Sequence, residues 1–303
     1  MGIVYAAPAV APEPRAAAEG RFMSWTGVNG DVFVLSADDS NPAMQRGVQG
    51  LHMPDIQVFE SSTPLIHGSE LDGYTILPRR VFWPLMFQAD TAAQWRAEHA
   101  AFFDSFHPTV PGTWTVGEGD DARTLGLVGT FDGGHTFDLD PFYTGWANIG
   151  VELRATRPLW AGKEIRREYE AELEPDFIPT DPEDPTYHPT SVLGYTSARI
   201  GNPGNEAAYV AWEIDGPHPP GLIVGVESFV ITIPFEIPEG STFTLDTDPT
   251  SGYAALDGVD MSTQLGFQIF APVPAGGDVR LVISTEGTGR VLAKLTPLYW
   301  RAY

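Results

Sequence analysis

The stretch RRVFWPLMFQADTAAQWRAEHAAFFDSF, residues 79–106, is the segment from which the fold of this chain is most clearly predicted. In its first part large apolar residues alternate with smaller or polar ones, and this period of two is typical of a half-buried strand. These residues are Val81, Trp83, Leu85 and Phe87. The second part has bulky residues at the spacing of one helix face, namely Trp95, His99, Phe102, Phe103 and Phe106. The stretch therefore predicts a strand followed by a helix.

The predicted helix has signals at both ends. Asp90 and Thr91 stand where a side chain can accept a hydrogen bond from the free amides of the first turn, and Pro108 closes the far end. This is the one helix that the sequence predicts clearly, and its aromatic face has to be covered by a sheet. We therefore expect the helix to plug a β-domain formed by the N-terminal half of the chain.

Composition indicates an all-β protein in which this helix is the main exception. The 303 residues include 32 glycines and 27 prolines, which favour many turns over long helices, and the length suits two domains. The net charge of −23 argues against non-specific binding to nucleic acid or to an anionic membrane, because both need clustered basic residues. The absence of cysteine excludes disulfides and thiolate metal sites. No apolar run approaches the roughly 18 residues of a membrane span.

We divide the chain into four parts. Residues 1–20 carry several prolines and lack the basic start of a signal peptide, so they predict a flexible N-terminal arm. Residues 21–175 form the first domain, and residues 191–303 form the second. Between them, residues 176–190 are rich in proline and acidic side chains and contain few apolar residues that could pack, which is typical of a linker.

Turn signals separate the predicted strands of the first domain. Asn29-Gly30 predicts a hairpin, because this pair tolerates the positive φ of a tight turn, and residues 117–122 predict a second one. Residues 38–73 break the pattern, and we interpret them as a long excursion in the form of an extended hairpin, which at this length is usually functional. Residues 162–174 fit either a strand or a helix, and their neighbours favour a strand.

The second domain shows the period of two most strongly. Alternating apolar residues occur in short runs at 210–214, 229–237, 243–245, 265–269, 279–283 and from 291 onward. Glycine-containing turns separate these runs. About seven or eight short strands in roughly 110 residues predict a β-sandwich or jelly roll.

The sequence contains none of the motifs that carry catalysis. It lacks a G-x-S-x-G elbow, a phosphate-binding glycine loop, an H-E-x-x-H pair and an EF-hand loop, and its seven histidines show no ligand-like spacing. We therefore predict no enzyme activity, no cofactor and no metal. Two groups of aspartates contain potential calcium ligands, although aspartate is also an ordinary loop residue. They are Asp132, Asp138 and Asp140, and Asp246 with Asp248.

Two sets of residues are candidates for a binding role. A row of glutamates, Glu168, Glu170, Glu172 and Glu174, is either a solvated face or, in a ring, a channel wall that repels the phosphates of DNA. Three aromatic residues of the second domain either pack in its core or form a platform on which a sugar stacks. They are Trp212, Tyr253 and Trp300.

Taken in order, these features resemble the distal tail proteins of long-tailed bacteriophages (siphophages), a family of minor tail proteins. In the N-terminal half the resemblance rests on the hairpin that opens at Trp25, the R-x-V-x-x-P-L-x-F strand from Arg79 to Phe87, and Pro-Gly-Thr-Trp at 111–114. In the C-terminal half it rests on Asn-Pro-Gly-Asn at 202–205, Trp-Glu-Ile at 212–214 and the Arg-Ala-Tyr ending at 301–303. No single motif is specific, so the ordered combination over residues 22–303 carries the resemblance.

The resemblance implies a homohexameric ring at the far end of a tail tube. A tail-tube-like β-sandwich with one helix would surround the DNA channel, and a jelly-roll or galectin-like β-sandwich would project outward. The implied partners are further copies of the chain, the tail tube protein, the tail-associated hub protein and other tail-tip proteins, with DNA only as transiting cargo and no membrane. The implied location is the tail tip of the virion, after synthesis in the host cytoplasm.

Other functions stay open at this point. The second domain fits a glycan-binding module for adhesion to the host surface, provided that an aromatic cluster is exposed. A secreted polysaccharide hydrolase ranks last, because the N-terminus does not resemble an export signal. Within the ring hypothesis, the excursion at residues 38–73 is either a ring-forming belt or an adapter for neighbouring tail proteins.

Overall fold

The computed structural model of the protein describes residues 22–36, 40–63, 67–130, 140–170 and 198–303. The first half contains β1 (Met23–Thr26), β2 (Val32–Val34), β3 (Ala43–Met44), β4 (Ile56–Ser61), β5 (Glu70–Ile76), β6 (Arg79–Gln88), α1 (Ala92–Asp104), β7 (Gly112–Val116), a 3-10 turn (Gly119–Asp121), β8 (Arg123–Gly129), α2 (Pro141–Thr144), β9 (Trp146–Ala155), β10 (Trp160–Ala161) and β11 (Ile165–Tyr169). The second half contains β12 (Arg199–Gly201), β13 (Val210–Asp215), β14 (Leu222–Val226), β15 (Phe229–Ile233), β16 (Thr242–Asp246), β17 (Tyr253–Leu256), β18 (Val259–Asp260), α3 (Ser262–Leu265), β19 (Asp278–Ser284), β20 (Val291–Leu295) and β21 (Leu298–Tyr299).

The first sheet contains nine strands and curls around one core. Its main path runs β2-β1-β7-β8-β9-β6-β3 with antiparallel neighbours, and β10 pairs with both β8 and β21. Two predicted hairpins are confirmed. β1 and β2 are joined across a turn in which Gly30 has a φ of +87°, and β7 pairs with β8 from Gly112↔Leu127 to Val116↔Arg123.

The predicted strand and helix are confirmed, and their aromatic residues form the centre of the first core. The four alternating residues of β6 are each at most 2% exposed: Val81, Trp83, Leu85 and Phe87. Trp25 stacks on Phe106 with ring centroids 4.6 Å apart, and Trp83 meets Trp25 edge to face at 5.4 Å. The helix therefore plugs the sheet as expected.

The helix cap is Thr91 rather than Asp90. The Thr91 hydroxyl accepts a hydrogen bond from the amide of Gln94 at 3.2 Å, and the Thr91 backbone is extended, as an N-cap requires. Asp90 and Thr91 are both suitable capping residues in the sequence. Thr91 is the N-cap because it directly precedes the first helical residue, Ala92.

The second half of the chain forms the predicted β-sandwich. Its six-stranded sheet has the order β11-β20-β13-β16-β17-β18, and its four-stranded sheet has the order β12-β19-β14-β15. Inward-facing residues of both sheets share one core, which includes Trp212 and Phe243 from the first and Val224 and Leu281 from the second. The fold class that the sequence predicted, all-β with one main helix, is confirmed.

One predicted strand of the second half is wrong. Residues 265–269 alternate in sequence, but the structure has the short helix α3 ending at Leu265, which is buried. Gly266 follows with a φ of +68°, a conformation that glycine adopts freely and that ends the run. Phe267 and Ile269 are then 91% and 58% exposed, so their alternation does not mark a buried face.

Strand pairing connects the two predicted domains in both directions. Strand β11 falls inside the predicted first domain, yet it pairs with β20 of the sandwich from Ile165↔Leu295 to Tyr169↔Val291. Its extended conformation agrees with the favoured interpretation of residues 162–174. In the other direction, β21 at the end of the chain pairs with β10 of the first sheet. The predicted arm lies outside the described residues, and so does the predicted linker.

A buried arginine fastens the end of the chain to the first sheet. Arg79 is 2% exposed, and burial lowers its pKa from 12.5 to about 10. Its guanidinium donates hydrogen bonds to the carbonyl oxygens of Gly50 (2.8 Å), Pro158 (2.8 Å), Trp300 (2.7 Å) and His52. Among the described residues, no carboxylate lies within ion-pair distance of Arg79. Backbone carbonyls therefore replace the water that this cation has lost.

A buried histidine in the sandwich makes stability depend on pH. His218 is 1% exposed, its Nδ1 lies 2.9 Å from the Thr285 hydroxyl, and its Nε2 has no hydrogen-bond partner among the described residues. Burial lowers the pKa of His218 below its usual 6.5. The folded protein therefore keeps this ring neutral at pH values at which the unfolded chain binds a proton.

We expect the free energy of unfolding to fall as the pH drops below 6.5, with up to about 1.4 kcal/mol per pH unit coming from His218. Replacing His218 with glutamine removes the titrating group and is expected to flatten this slope. Urea unfolding at about pH 7, 6 and 5 measures the slope. His52→Gln, at an exposed histidine, is the control and should keep the wild-type slope. Equal slopes for wild type and His218→Gln would contradict the prediction.

Candidate functional site

The hairpin of β4 and β5 stands apart from the larger sheets. It forms a two-stranded sheet of its own, paired from Ile56↔Ile76 to Ser61↔Glu70 with an irregularity between Phe59 and Glu60. Every residue of β4 is exposed, and so is every residue of β5 except Ile76. The excursion predicted at residues 38–73 thus contains most of an extended hairpin whose two faces are both open, while β3 within the excursion pairs with β6 of the first sheet.

Apolar side chains make up much of the surface of this hairpin. Leu71 is 70% exposed, Tyr74 51%, Val58 49% and Phe59 47%. A two-stranded hairpin is only marginally stable by itself in water, and large exposed apolar patches on soluble proteins usually mark interaction sites. The hairpin therefore has the composition of a surface that another protein chain covers.

Glu206 ties the hairpin to the sandwich and to the end of the chain. Its Oε1 accepts a hydrogen bond from the Tyr74 hydroxyl at 2.8 Å and another from the Trp300 indole nitrogen at 2.7 Å. The hydrogen bond to this carboxylate raises the pKa of Tyr74 above its usual value. The hairpin, the loop before β13 and the C-terminal tail thus meet at one carboxylate.

A groove of about 800 Å³ lies at the base of the hairpin, on the outer face of β6 and β9, and we call it the root groove. Arg80 and Arg154 line it and stand directly opposite each other in the strand register. Both are exposed, and neither forms an ion pair within the part of the chain that the structure describes. Like charges directly opposite each other destabilise a strand pair, so the stability of the fold does not explain this arrangement.

The structure describes two of the four glutamates in the predicted channel-facing row. Glu168 lies on β11 and faces away from the core, because the neighbouring Tyr169 is buried in it, and its carboxylate is 3.7 Å from Arg290. Glu170 is exposed. Glu172 and Glu174 lie outside the described residues. The channel-facing role of the row stays a prediction.

The three residues of the predicted sugar platform do not share one surface. Trp212 is 2% exposed and belongs to the sandwich core. Tyr253 lies opposite Asp246 in the strand register, and Asp246 lies opposite Ala211, so these three residues share one face of the sheet. Trp212 follows Ala211 and therefore points to the other face, and Tyr253 is 45% exposed. Trp300 lies in the C-terminal tail, with its indole nitrogen bound to Glu206. Trp212 is therefore a core residue, turned inward by the alternation of its strand, and a stacking role for Tyr253 or Trp300 stays a prediction.

The acidic loops do not assemble into a metal site in the described part of the chain, where no group of three or more metal-binding side chains is placed to hold an ion. Asp246 and Asp248 instead accept hydrogen bonds within their own turn, from the hydroxyls of Ser251 at 2.6 Å and Thr250 at 2.7 Å. Asp132 and Asp138 lie outside the described residues. None of the helices in the described part of the chain is long and apolar enough to cross a bilayer.

The sequence analysis missed the arginine pair of the root groove. Alternation places Arg80 and Arg154 on the solvent-facing side of their strands, because their neighbours Val81 and Leu153 are apolar. That signal was available in the sequence. The register that brings the two arginines opposite each other was not, because it joins strands separated by a helix and a hairpin.

Comparisons with known proteins identify the fold. No protein-family profile matches the chain, and neither does any curated protein sequence. Among solved structures the chain is similar to the Dit (gp 19.1) protein of SPP1, described as a paradigm of the hub adsorption apparatus in phages that infect Gram-positive bacteria. The TM-score is 0.61 at 10% sequence identity, over 92% of this chain and 98% of that chain.

Two further similarities are to chains of the phage P2 baseplate in its activated conformation, one with Ca and one with Sr. Both have a TM-score of 0.49, at 11% and 12% sequence identity. They cover 92% and 91% of this chain, and 98% and 97% of the baseplate chains. The similarity to Dit confirms the fold that the sequence resemblance implied.

Proposed function

We propose that the protein is a structural component of a phage tail tip and that it assembles into a closed ring of six copies. The observation that carries the proposal is the similarity of its fold to Dit over 92% of this chain and 98% of that one. A match of this extent spans both sheet systems of this chain, which one common β-sandwich would not supply. In this role the protein acts through assembly and not as an enzyme.

The exposed hairpin supports self-association. A closed ring of identical subunits is built from head-to-tail contacts, in which two different surfaces of the same chain meet. Such a ring needs a projecting element on one side of each copy and a receiving surface on the other. The hairpin is the projecting element, because its apolar side chains have no cover within the described chain. The excursion at residues 38–73 thus serves as the ring-forming belt.

Charge supports a channel for DNA. Each copy carries a net charge of −23, and acidic walls repel the phosphates of a transiting duplex, so the DNA would not adhere. For the row from Glu168 to Glu174 to face the channel within this proposal, the edge of the sandwich that carries β11 has to lie beside the channel. The tail tube protein lies on one side of the ring, and the hub protein and other tail-tip proteins lie on the other, in the virion.

The mass and symmetry of the purified protein test the proposal. Native mass spectrometry is expected to detect a species of six chains, each of 32.9 kDa. Particle imaging is expected to show six-fold symmetry and a central hole wide enough for duplex DNA, about 20 Å or more. A protein that stays monomeric at its highest soluble concentration, at low and at high salt, would contradict the proposal.

A further inference from the structure

We propose that the root groove receives the tip of the β4–β5 hairpin from a neighbouring copy of the chain. The contact combines an apolar contact with charge pairs around it, in which carboxylates of one copy meet Arg80 and Arg154 of the next. This inference rests on the proposed ring, and it assigns the two surfaces that meet at each subunit boundary.

The tip of the hairpin is acidic. Glu60, Glu70 and Asp72 lie at the end of the paired strands farthest from the base of the hairpin, all three are exposed, and we call them the acidic tip. Residues 56–76 contain no lysine or arginine. Neighbouring hydroxyls hold two of the carboxylates in place: Ser69 donates to Glu60 at 2.6 Å, and Ser61 donates to Asp72 at 3.2 Å. The tip therefore presents three carboxylates without an internal counter-ion.

The root groove is the complementary surface. Arg80 and Arg154 line it together with Asp55 and Glu152, and Asp55 also acts electrostatically on the buried Arg79 behind the groove. The lining thus carries two arginines and two carboxylates, and none of these four side chains forms an ion pair within the described chain, so both guanidinium groups can accept a carboxylate from another copy. Each guanidinium group can bind a carboxylate through two parallel hydrogen bonds, and here two exposed guanidinium groups stand on adjacent strands.

The apolar parts of the two surfaces also match. Leu71, next to the acidic tip, is the most exposed apolar residue of the hairpin, at 70%. The root groove is lined by Leu77 and Phe82 beside its arginines, and Leu77 is 38% exposed. An apolar contact surrounded by charge pairs is the usual arrangement of a specific interface.

The acidic tip meets the groove of another copy and not its own. The root groove lies at the base of the hairpin. At a rise of about 3.3 Å per residue, the acidic tip is roughly 15 Å away from that base along the strands. Within one described chain, none of the three tip carboxylates forms an ion pair with Arg80 or Arg154. The acidic tip and the root groove are different surfaces of the chain, so each contact leaves a free tip on one copy and a free groove on the other. Copies therefore add head to tail, and they close a ring when the rotation between neighbouring copies is suitable.

Charge reversal on the full-length chain tests the assignment. The groove variant is R80E/R154E, the tip variant is E60K/E70K/D72K, and the swapped variant carries all five substitutions. Arg280→Glu, an exposed arginine on β19 of the sandwich, is the matched control for a single Arg80→Glu substitution. Native mass spectrometry over a concentration series gives the concentration at which half of the chains are assembled, and thermal unfolding reports whether each variant is folded.

We expect the groove variant and the tip variant each to need roughly tenfold higher concentration to assemble, because charge pairs across the boundary become repulsive. The swapped variant is expected to recover most of the wild-type assembly. Arg80→Glu creates an opposite-charge pair with Arg154 on the neighbouring strand, so the unfolding temperature measured on dilute, unassembled chains should not fall even though assembly weakens. If Arg80 only stabilised the fold, replacing it would lower both the unfolding temperature and the extent of assembly.

The outcomes separate this inference from the proposed function. If wild type forms rings and the groove variant forms them equally well, the groove assignment is overturned and the ring proposal stands. If the two reversals weaken assembly but the swapped variant does not recover it, the tip is not the partner of the groove. A wild-type protein that never assembles overturns both.

Discussion

A variant in which Asn-Gly replaces residues 57–75 is expected to fold and to remain monomeric under conditions in which the wild type forms rings. Ile56 and Ile76 are direct partners in the register, so a two-residue turn can join them. The deletion removes the hydrogen bond from Tyr74 to Glu206, worth about 1 kcal/mol, and shortens a long loop, which lowers its closure cost. Stability should therefore stay close to that of the wild type.

The expected loss of assembly is large because the hairpin carries several exposed apolar side chains. Burying one such side chain contributes about 1.5–3 kcal/mol, so Val58, Phe59 and Leu71 together are enough to decide between ring and monomer. Native mass spectrometry measures the assembly, and thermal unfolding measures the fold. Tyr74→Phe is the control, because it loses the same hydrogen bond and keeps the hairpin, and it should still form rings. Rings formed by the deletion variant would show that the hairpin is not the subunit contact.

Arg79→Met is expected to destabilise the folded chain by about 3–5 kcal/mol, although methionine fills a similar volume. Four carbonyl oxygens accept hydrogen bonds from the guanidinium, and the substitution leaves them buried without that donor. A hydrogen bond to a charged group contributes about 1.5–3 kcal/mol. The substitution also removes the free-energy cost of burying a charged group, and this gain offsets part of the loss. The net destabilisation is therefore smaller than the sum of the four hydrogen bonds.

The neighbouring residue supplies a matched control. Arg80 follows Arg79 on the same strand and is exposed, so Arg80→Met should change the free energy of unfolding by no more than about 0.5 kcal/mol. Urea unfolding followed by tryptophan fluorescence measures both variants, because Trp83 lies in the same strand. If the two variants differ by less than about 1 kcal/mol, the carbonyl cluster does not hold the end of the chain as described.

Much of the fold could be predicted because its signals are local. Val81, Trp83, Leu85 and Phe87 alternate over a few positions, and the side-chain period of a strand follows from backbone geometry alone. The hairpin at Gly30 follows from the conformational freedom of one residue. The wrong prediction of a strand at residues 265–269 also came from a local signal. The apolar residues alternate there, but the positive φ of Gly266 prevents a strand.

The candidate site was harder to predict, because exposure depends on what covers a residue. Trp212 and Tyr253 are both aromatic residues of the second domain, yet one lies in the core and the other on the outer face of the same sheet. The sequence predicted an excursion at residues 38–73, but not the exposure of its apolar residues. Their exposure became visible only when the hairpin proved to be a separate sheet.

The sequence by itself determined an acidic chain without cysteine, strands built on a period of two, one aromatic helix to plug the first sheet, and a β-sandwich after it. Only the tertiary structure decided which strands pair, and so brought Arg80 opposite Arg154 and Arg79 to the carbonyl of Trp300, 221 positions away. The physical reason is that strand register and burial are set by contacts between distant segments. A local pattern fixes which side of a strand a residue occupies, but not what it meets there.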